Sequence, residues 1–238
     1  MAGLALGKKN KGVLRWVILS FTAVLIIASC YFAYKWFTEG QKPPLIPLPA
    51  SAYADSAIDE TPVDLGDINS YTVPASHPRY ISIPSVGVSK ARVQQVGLTE
   101  NKLIDTPRNI SDVGWYKESA LPGQGYGSVI INGHNKGMTR DGIFAQLGSL
   151  KSGDEIIIER GDGEQIIYRV VENKKESLQQ ATTTGLKRLM TPYNTSEEGL
   201  GLIATSGTWI PRDKVFDERI LVRAVVASDP GSDELLNE

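Results

Sequence analysis

Two kinds of hydrophobic pattern divide this chain. Near its start an apolar stretch runs from Trp16 to Tyr34 without a charged residue, close to the roughly 20 residues that cross a bilayer as a helix. Trp16 stands at one rim and Tyr31, Tyr34 and Trp36 at the other, where amphipathic rings settle at the headgroup level. Lys8, Lys9, Lys11 and Arg15 precede the stretch. That asymmetry predicts a cytoplasmic segment over 1–15, a transmembrane anchor over 16–36 and an exported remainder. A rival reading is a lipoprotein signal, because Ile27-Ala28-Ser29-Cys30 resembles a lipidation box that would leave Cys30 at a new N-terminus. Apolar and aromatic character continues past that box to Phe37, so the uncleaved anchor is the reading taken forward.

The second pattern begins near Arg79. Between the two, residues 37–78 are rich in Pro, Ala, Ser and Asp and follow neither a helical nor an alternating period. This composition predicts a flexible acidic spacer. Short β-type runs then follow: Tyr80 to Ile83, Ser128 to Ile131, Glu155 to Glu159, Gln165 to Glu172, Leu200 to Ala204 and Ile220 to Val226. Arg160-Gly161-Asp162-Gly163-Glu164 joins two of them as a hairpin turn. Many short strands with Gly/Pro punctuation predict an all-β domain over 79–228, closed or nearly closed as a barrel. Only brief helices are expected, over Gly142–Leu150 and Thr184–Met190, and an acidic tail over 229–238.

Composition narrows the chemistry. The formal net charge is -2 and the sequence pI about 5.8, so no global basic field points to nucleic acid. One cysteine and two histidines exclude a Cys/His structural zinc site and an intramolecular disulfide. No acidic loop has calcium-binding spacing, and neither metal nor cofactor is expected.

Three features remain as candidate chemistry. His134 follows a strand and a glycine in Ile131-Asn132-Gly133-His134-Asn135, where a side chain can face a groove. Arg219 opens the strand Ile220-Leu221-Val222, and Thr205 and Ser206 end the strand that begins Gly199-Leu200-Gly201-Leu202. Each is ordinary alone: a loop histidine is more often a surface residue, and strand-end cations are common. In order, with Val113-Gly114-Trp115-Tyr116, Leu121-Pro122-Gly123, Gly142-Ile143-Phe144-Ala145-Gln146-Leu147 and Gly153-Asp154, the set resembles the sortase family from about Arg79 to Ala227.

That resemblance implies an eight-stranded β-barrel and a cysteine transpeptidase. Such an enzyme cleaves a sorting signal of the Leu-Pro-x-Thr-Gly kind on a surface protein and passes the acyl group to an amine of the cell wall or of a pilin. It implies that His134 is the acid/base and Arg219 the oxyanion or peptide-positioning cation. The family ends its nucleophile strand in Leu-x-Leu-x-Thr-Cys, and this chain departs from that pattern. Aligning the leucines puts Thr205 at the cysteine, whereas aligning the threonine puts Ser206 there. Neither is a thiol, and Cys30 lies in the anchor. Three functions follow: a transpeptidase impaired at its nucleophile, a silent peptide-binding module on the same barrel, or a hydrolase with a hydroxyl nucleophile.

Overall fold

The computed structural model describes residues 11–39, 58–99, 103–210 and 215–227. Residues 1–10 of the basic segment, spacer residues 40–57 and the acidic tail lie outside that set. Lys11–Glu39 forms one helix, α1. Trp16, Leu19, Phe21, Leu25 and Ile26 are each more than half exposed. At 3.6 residues per turn they point in directions all around the axis, so the helix has no single apolar stripe. No helix among the described residues is long and apolar enough to cross a membrane; the side chains of α1 are described continuously only over 19–31.

The remainder is an eight-stranded closed barrel in the order β1-β2-β3-β4-β7-β8-β6-β5. Its strands are β1 (Pro78–Ile83), β2 (Val88–Val96), β3 (Val113–Tyr116), β4 (Ser128–Gly133), β5 (Glu155–Arg160), β6 (Gln165–Ser177), β7 (Gly199–Ile210) and β8 (Val215–Val226). β5 and β6 form the expected hairpin, with Glu159 opposite Gln165 and Gly163 at φ 88° in the turn. Two neighbouring pairs are parallel, β2 with β3 and β4 with β7. Parallel neighbours need long crossovers, and here those crossovers carry the loops and helices that flank the candidate site.

Alternation along each strand sets the interior. Ile81, Ile83, Val129, Ile131, Ile156, Ile158, Leu200, Leu202 and Val222 are all essentially buried in one core with Phe144 and Tyr168. Each such side chain contributes about 1.5–3 kcal/mol by leaving water. A smaller cluster of Ile130, Ala181, Leu189 and Leu221 sits on the outer face of the same strands, with Ile203 packed against it.

Four sequence expectations change. β2 and β3 were absent from the predicted strands; β2 alternates only over Lys90 to Gln94, because Ser89-Lys90 and Gln94-Gln95 are consecutive polar pairs. The helix expected over Gly142–Leu150 is only a 3-10 turn at Leu147–Ser149, since Gly142 lies so close to the His134 carbonyl that even a Cβ there would collide. The second predicted helix is longer: α3 (Leu178–Gln180), a π-turn over Ala181–Gly185 and α4 (Leu186–Met190) are consecutive, and Ser177 and Gln180 form a capping box at their start. Finally, residues 58–77, placed in the spacer by composition, are bound to the barrel. Asp64 caps a short helix, α2 (Leu65–Ser70). Tyr71 donates its hydroxyl to the Val93 carbonyl at 2.6 Å, and the Gly161 amide donates to the His77 carbonyl at 2.9 Å. Composition is blind to such long-range hydrogen bonds.

Candidate active site

An open cavity of about 240 Å³ lies against the outer faces of β4, β7 and β8. Leu103, Ile104 and Asp105 of the β2–β3 loop form one wall. Leu178, Ala181 and Leu186 of the helical run form the other. Most of its lining is apolar, with hydroxyls and one cation set into the floor. Asn132 ties the first wall to β4, because its side-chain amide donates to the Asp105 carbonyl at 2.8 Å and to the Thr106 hydroxyl at 3.1 Å.

β7 does not end at Thr205 and Ser206 but continues to Ile210, and the period of two decides which of these hydroxyls the groove receives. Leu200, Leu202 and Ala204 belong to the barrel core. Ile203 and Thr205, on the opposite face, line the groove. Ser206 falls on the Leu202–Ala204 face and is only 9% exposed. Gly207, at φ 79°, then breaks the alternation. On β8 the same logic applies: Ile220 and Val222 point into the barrel, whereas Arg219 and Leu221 line the groove. Thr205 and Arg219 therefore share one cavity, and Ser206 does not.

His134 enters through register. β4 runs parallel to β7 and their register ends with Gly133 opposite Ala204, so His134 leaves β4 at the same level at which β7 carries Thr205. Gly133 faces inward, and a Cβ there would meet the Phe144 ring at 2.6 Å. The His134 ring is not itself part of the groove lining. Its Nε2 lies 2.7 Å from the Pro107 carbonyl. A carbonyl only accepts, so Nε2 carries the proton and Nδ1 is the basic nitrogen of the neutral ring. The orienting partner that the sequence lacked is thus a main-chain oxygen, for which no residue type is a signal.

Electrostatics follow burial. Loss of solvent holds the His134 imidazolium below its ordinary pKa, with the Pro107 hydrogen bond acting weakly the other way. Burial also lowers the Arg219 pKa, opposed by Asp217. Arg219 stays a cation at neutral pH, and its Nη1 donates to the Phe216 and Glu218 carbonyls at 2.9 and 2.8 Å.

A sortase domain model matches residues 81–227, more than half of the chain. The chain belongs to the sortase family. Solved sortases are similar at low identity. Sortase A of Corynebacterium diphtheriae, a lid mutant, is 23% identical, with 71% of this chain and 81% of that one covered at a TM-score of 0.47. A Clostridium perfringens sortase D5 transpeptidase is 20% identical over 64% and 79%, with a TM-score of 0.45. Sortase C of Streptococcus pneumoniae is 18% identical over 74% and 77%, with a TM-score of 0.48. No curated protein sequence matches this sortase significantly.

The depressed His134 pKa gives a stability prediction. The unfolded chain takes up a proton near pH 6.5, and the folded sortase resists that proton. The contribution of this ring to stability is therefore complete above about pH 6.5 and is lost on acidification below it. His134→Gln, with no group to titrate, is expected to flatten the fall in urea midpoint between pH 7 and 5. An unchanged slope would mean that the ring is as hydrated when folded as when unfolded.

Proposed function

We propose that this sortase binds a sorting-signal peptide of the Leu-Pro-x-Thr-Gly kind in the groove, for acyl transfer to a cell-wall or pilin amine. The single observation behind the proposal is the meeting of Thr205 and Arg219 in one apolar cavity, with His134 directly after β4, the strand parallel to β7. Leu178, Ala181 and Leu186 suit an aliphatic peptide side chain. The Arg219 guanidinium suits a scissile carbonyl oxygen as charge develops on it. His134 Nδ1 is the basic nitrogen able to exchange a proton with the departing and incoming amines.

Thr205 then holds the position of the family's cysteine. The leucine alignment is the one that keeps this residue on the groove face. A thiol is acidic enough to persist as thiolate beside an imidazole, whereas a hydroxyl needs its proton removed during attack. The Thr205 methyl further crowds the approach. Transpeptidation by the unaltered chain is accordingly impaired. This same departure favours a second reading, a catalytically silent module that binds the peptide at the cell surface. The groove-facing residue is threonine, and the only cysteine is Cys30. Ser206 facing the core weighs against it as a hydrolytic nucleophile.

The barrel is placed outside the membrane, with the N-terminus cytoplasmic and 16–36 as a single-pass anchor. Support for this comes from the charge-free run after Lys8, Lys9, Lys11 and Arg15. Lipidation at Cys30 is the alternative, and a mass measurement of the mature N-terminus separates the two.

Binding tests the common part of both functions. A Leu-Pro-x-Thr-Gly peptide titrated into the unaltered chain is expected to bind saturably. Ala181→Trp, which fills the groove wall, is expected to weaken binding at least about tenfold, and Ser206→Ala to leave it unchanged. Equal affinity in Ala181→Trp would remove the groove from the function.

A further inference from the structure

We infer that the short strap Asp59–Thr61, where the spacer meets the barrel, is a positioning element for His134: it clasps the two loops that hold this ring. The inference rests on the functional reading only for the role of His134; the contacts themselves are independent of it. One loop carries Pro107, and the strap pairs with it through a single β-bridge. The Asp59 amide donates to the Arg108 carbonyl at 2.6 Å, and the Ile110 amide donates to the Asp59 carbonyl at 2.8 Å. The Asn109 side-chain amide donates to the Thr61 carbonyl at 3.0 Å. Asp59 and Asn109 thereby form a parallel bridge.

The other loop leaves His134 and returns to it. The Gly142 amide donates to the Asn135 carbonyl at 2.9 Å, and the Phe144 amide donates to the His134 carbonyl at 2.9 Å. Into the turn of that loop goes Glu60. Its carboxylate accepts from the amide of Met138, from the amide of Thr139 at 3.1 Å and from the Thr139 hydroxyl, while Arg140 Nη1 donates to the Glu60 carbonyl at 2.9 Å. The loops are also joined directly, because the Ile143 amide donates to the Ile110 carbonyl at 3.0 Å. A continuous hydrogen-bonded path therefore runs from Asp59 through Ile110 and Ile143 to Phe144 and His134. Gly137 makes room for the clasp: a Cβ there would collide with Glu60 Oε1.

Release of the strap frees both loops, so water reaches the imidazole and its proton affinity rises toward the ordinary value. The sequence contains only two histidines, so carbon–proton NMR of the imidazoles reports on His134 with His77 as internal reference. The full-length chain is titrated in detergent micelles as wild type, Glu60→Ala, Gly137→Ala and Glu60→Gln. Glu60→Ala and Gly137→Ala are expected to raise the His134 midpoint by at least about half a pH unit and leave His77 in place. Glu60→Gln, which keeps the acceptor oxygen but not the charge, is expected to behave as wild type. That separates hydration from simple electrostatics, since loss of a nearby negative charge would lower the midpoint instead. An unmoved His134 midpoint in both strap variants overturns the inference, as does an equal shift of His77. A missing acyl-transfer activity overturns only the functional reading, because this measurement involves no turnover.

Discussion

Thr205→Cys is expected to give hydroxylamine-dependent acyl transfer from a Leu-Pro-x-Thr-Gly peptide at a rate at least about a thousandfold above the unaltered chain. Ser206→Cys is expected to stay at baseline. Position 205 shares the groove with Arg219, one residue past the point where β7 pairs with Gly133, the residue before His134. Position 206 points toward Leu202 and Ala204 in the core. Loss of a dedicated nucleophile costs hydrolases about a millionfold. A thousandfold gain allows for a site whose imidazole is held neutral by burial and therefore supports less thiolate than an exposed imidazolium would. Adding Arg219→Ala to Thr205→Cys is expected to remove most of the gain while sparing the reaction of the thiol with small alkylating agents. A silent outcome at both cysteines, with peptide binding intact, would leave the surface binding module as the function.

Much of the barrel was legible because its strands depend on local signals. The alternations at Tyr80–Ile83 and Ile220–Val226 and the Gly163 hairpin turn each occupy only a few consecutive residues. The choice between Thr205 and Ser206 was not legible. It depends on which face of β7 meets Ile130 and Leu221, residues far away in the chain. The tie from His134 to Pro107 was hidden for a different reason, since a main-chain carbonyl belongs to every residue. Asp59, Glu60 and Thr61 looked like spacer because their partners, Ile110 and Met138 to Arg140, lie about fifty to eighty positions onward. β2 was missed because it is half polar, and two of those polar residues, Arg92 and Gln94, are there to bind one buried carboxylate.

That carboxylate belongs to Asp112, and its removal is expected to be the most damaging single truncation in the domain. Asp112 is 1% exposed. Arg92 meets it through two parallel bonds, Nε to Oδ1 at 2.8 Å and Nη2 to Oδ2 at 2.9 Å, and the Gln94 side-chain amide adds a third. The pair fixes β2 to the start of β3, the two strands whose crossover carries Pro107 and the wall residues Leu103 to Thr106. Asp112→Ala leaves the Arg92 cation with little water and no carboxylate partner, only the Tyr71 ring at 5.8 Å, an imbalance that costs about 3–5 kcal/mol at buried pairs. Against a typical domain stability of about 5–15 kcal/mol, the urea midpoint should fall by roughly a fifth or more. The double variant Arg92→Met with Asp112→Leu removes both charges and is expected to recover most of that loss, because neither partner is left stranded. A cost for Asp112→Ala below about 1 kcal/mol, the range of solvent-exposed pairs, would show that water reaches this pair freely and that the crossover is held by other means.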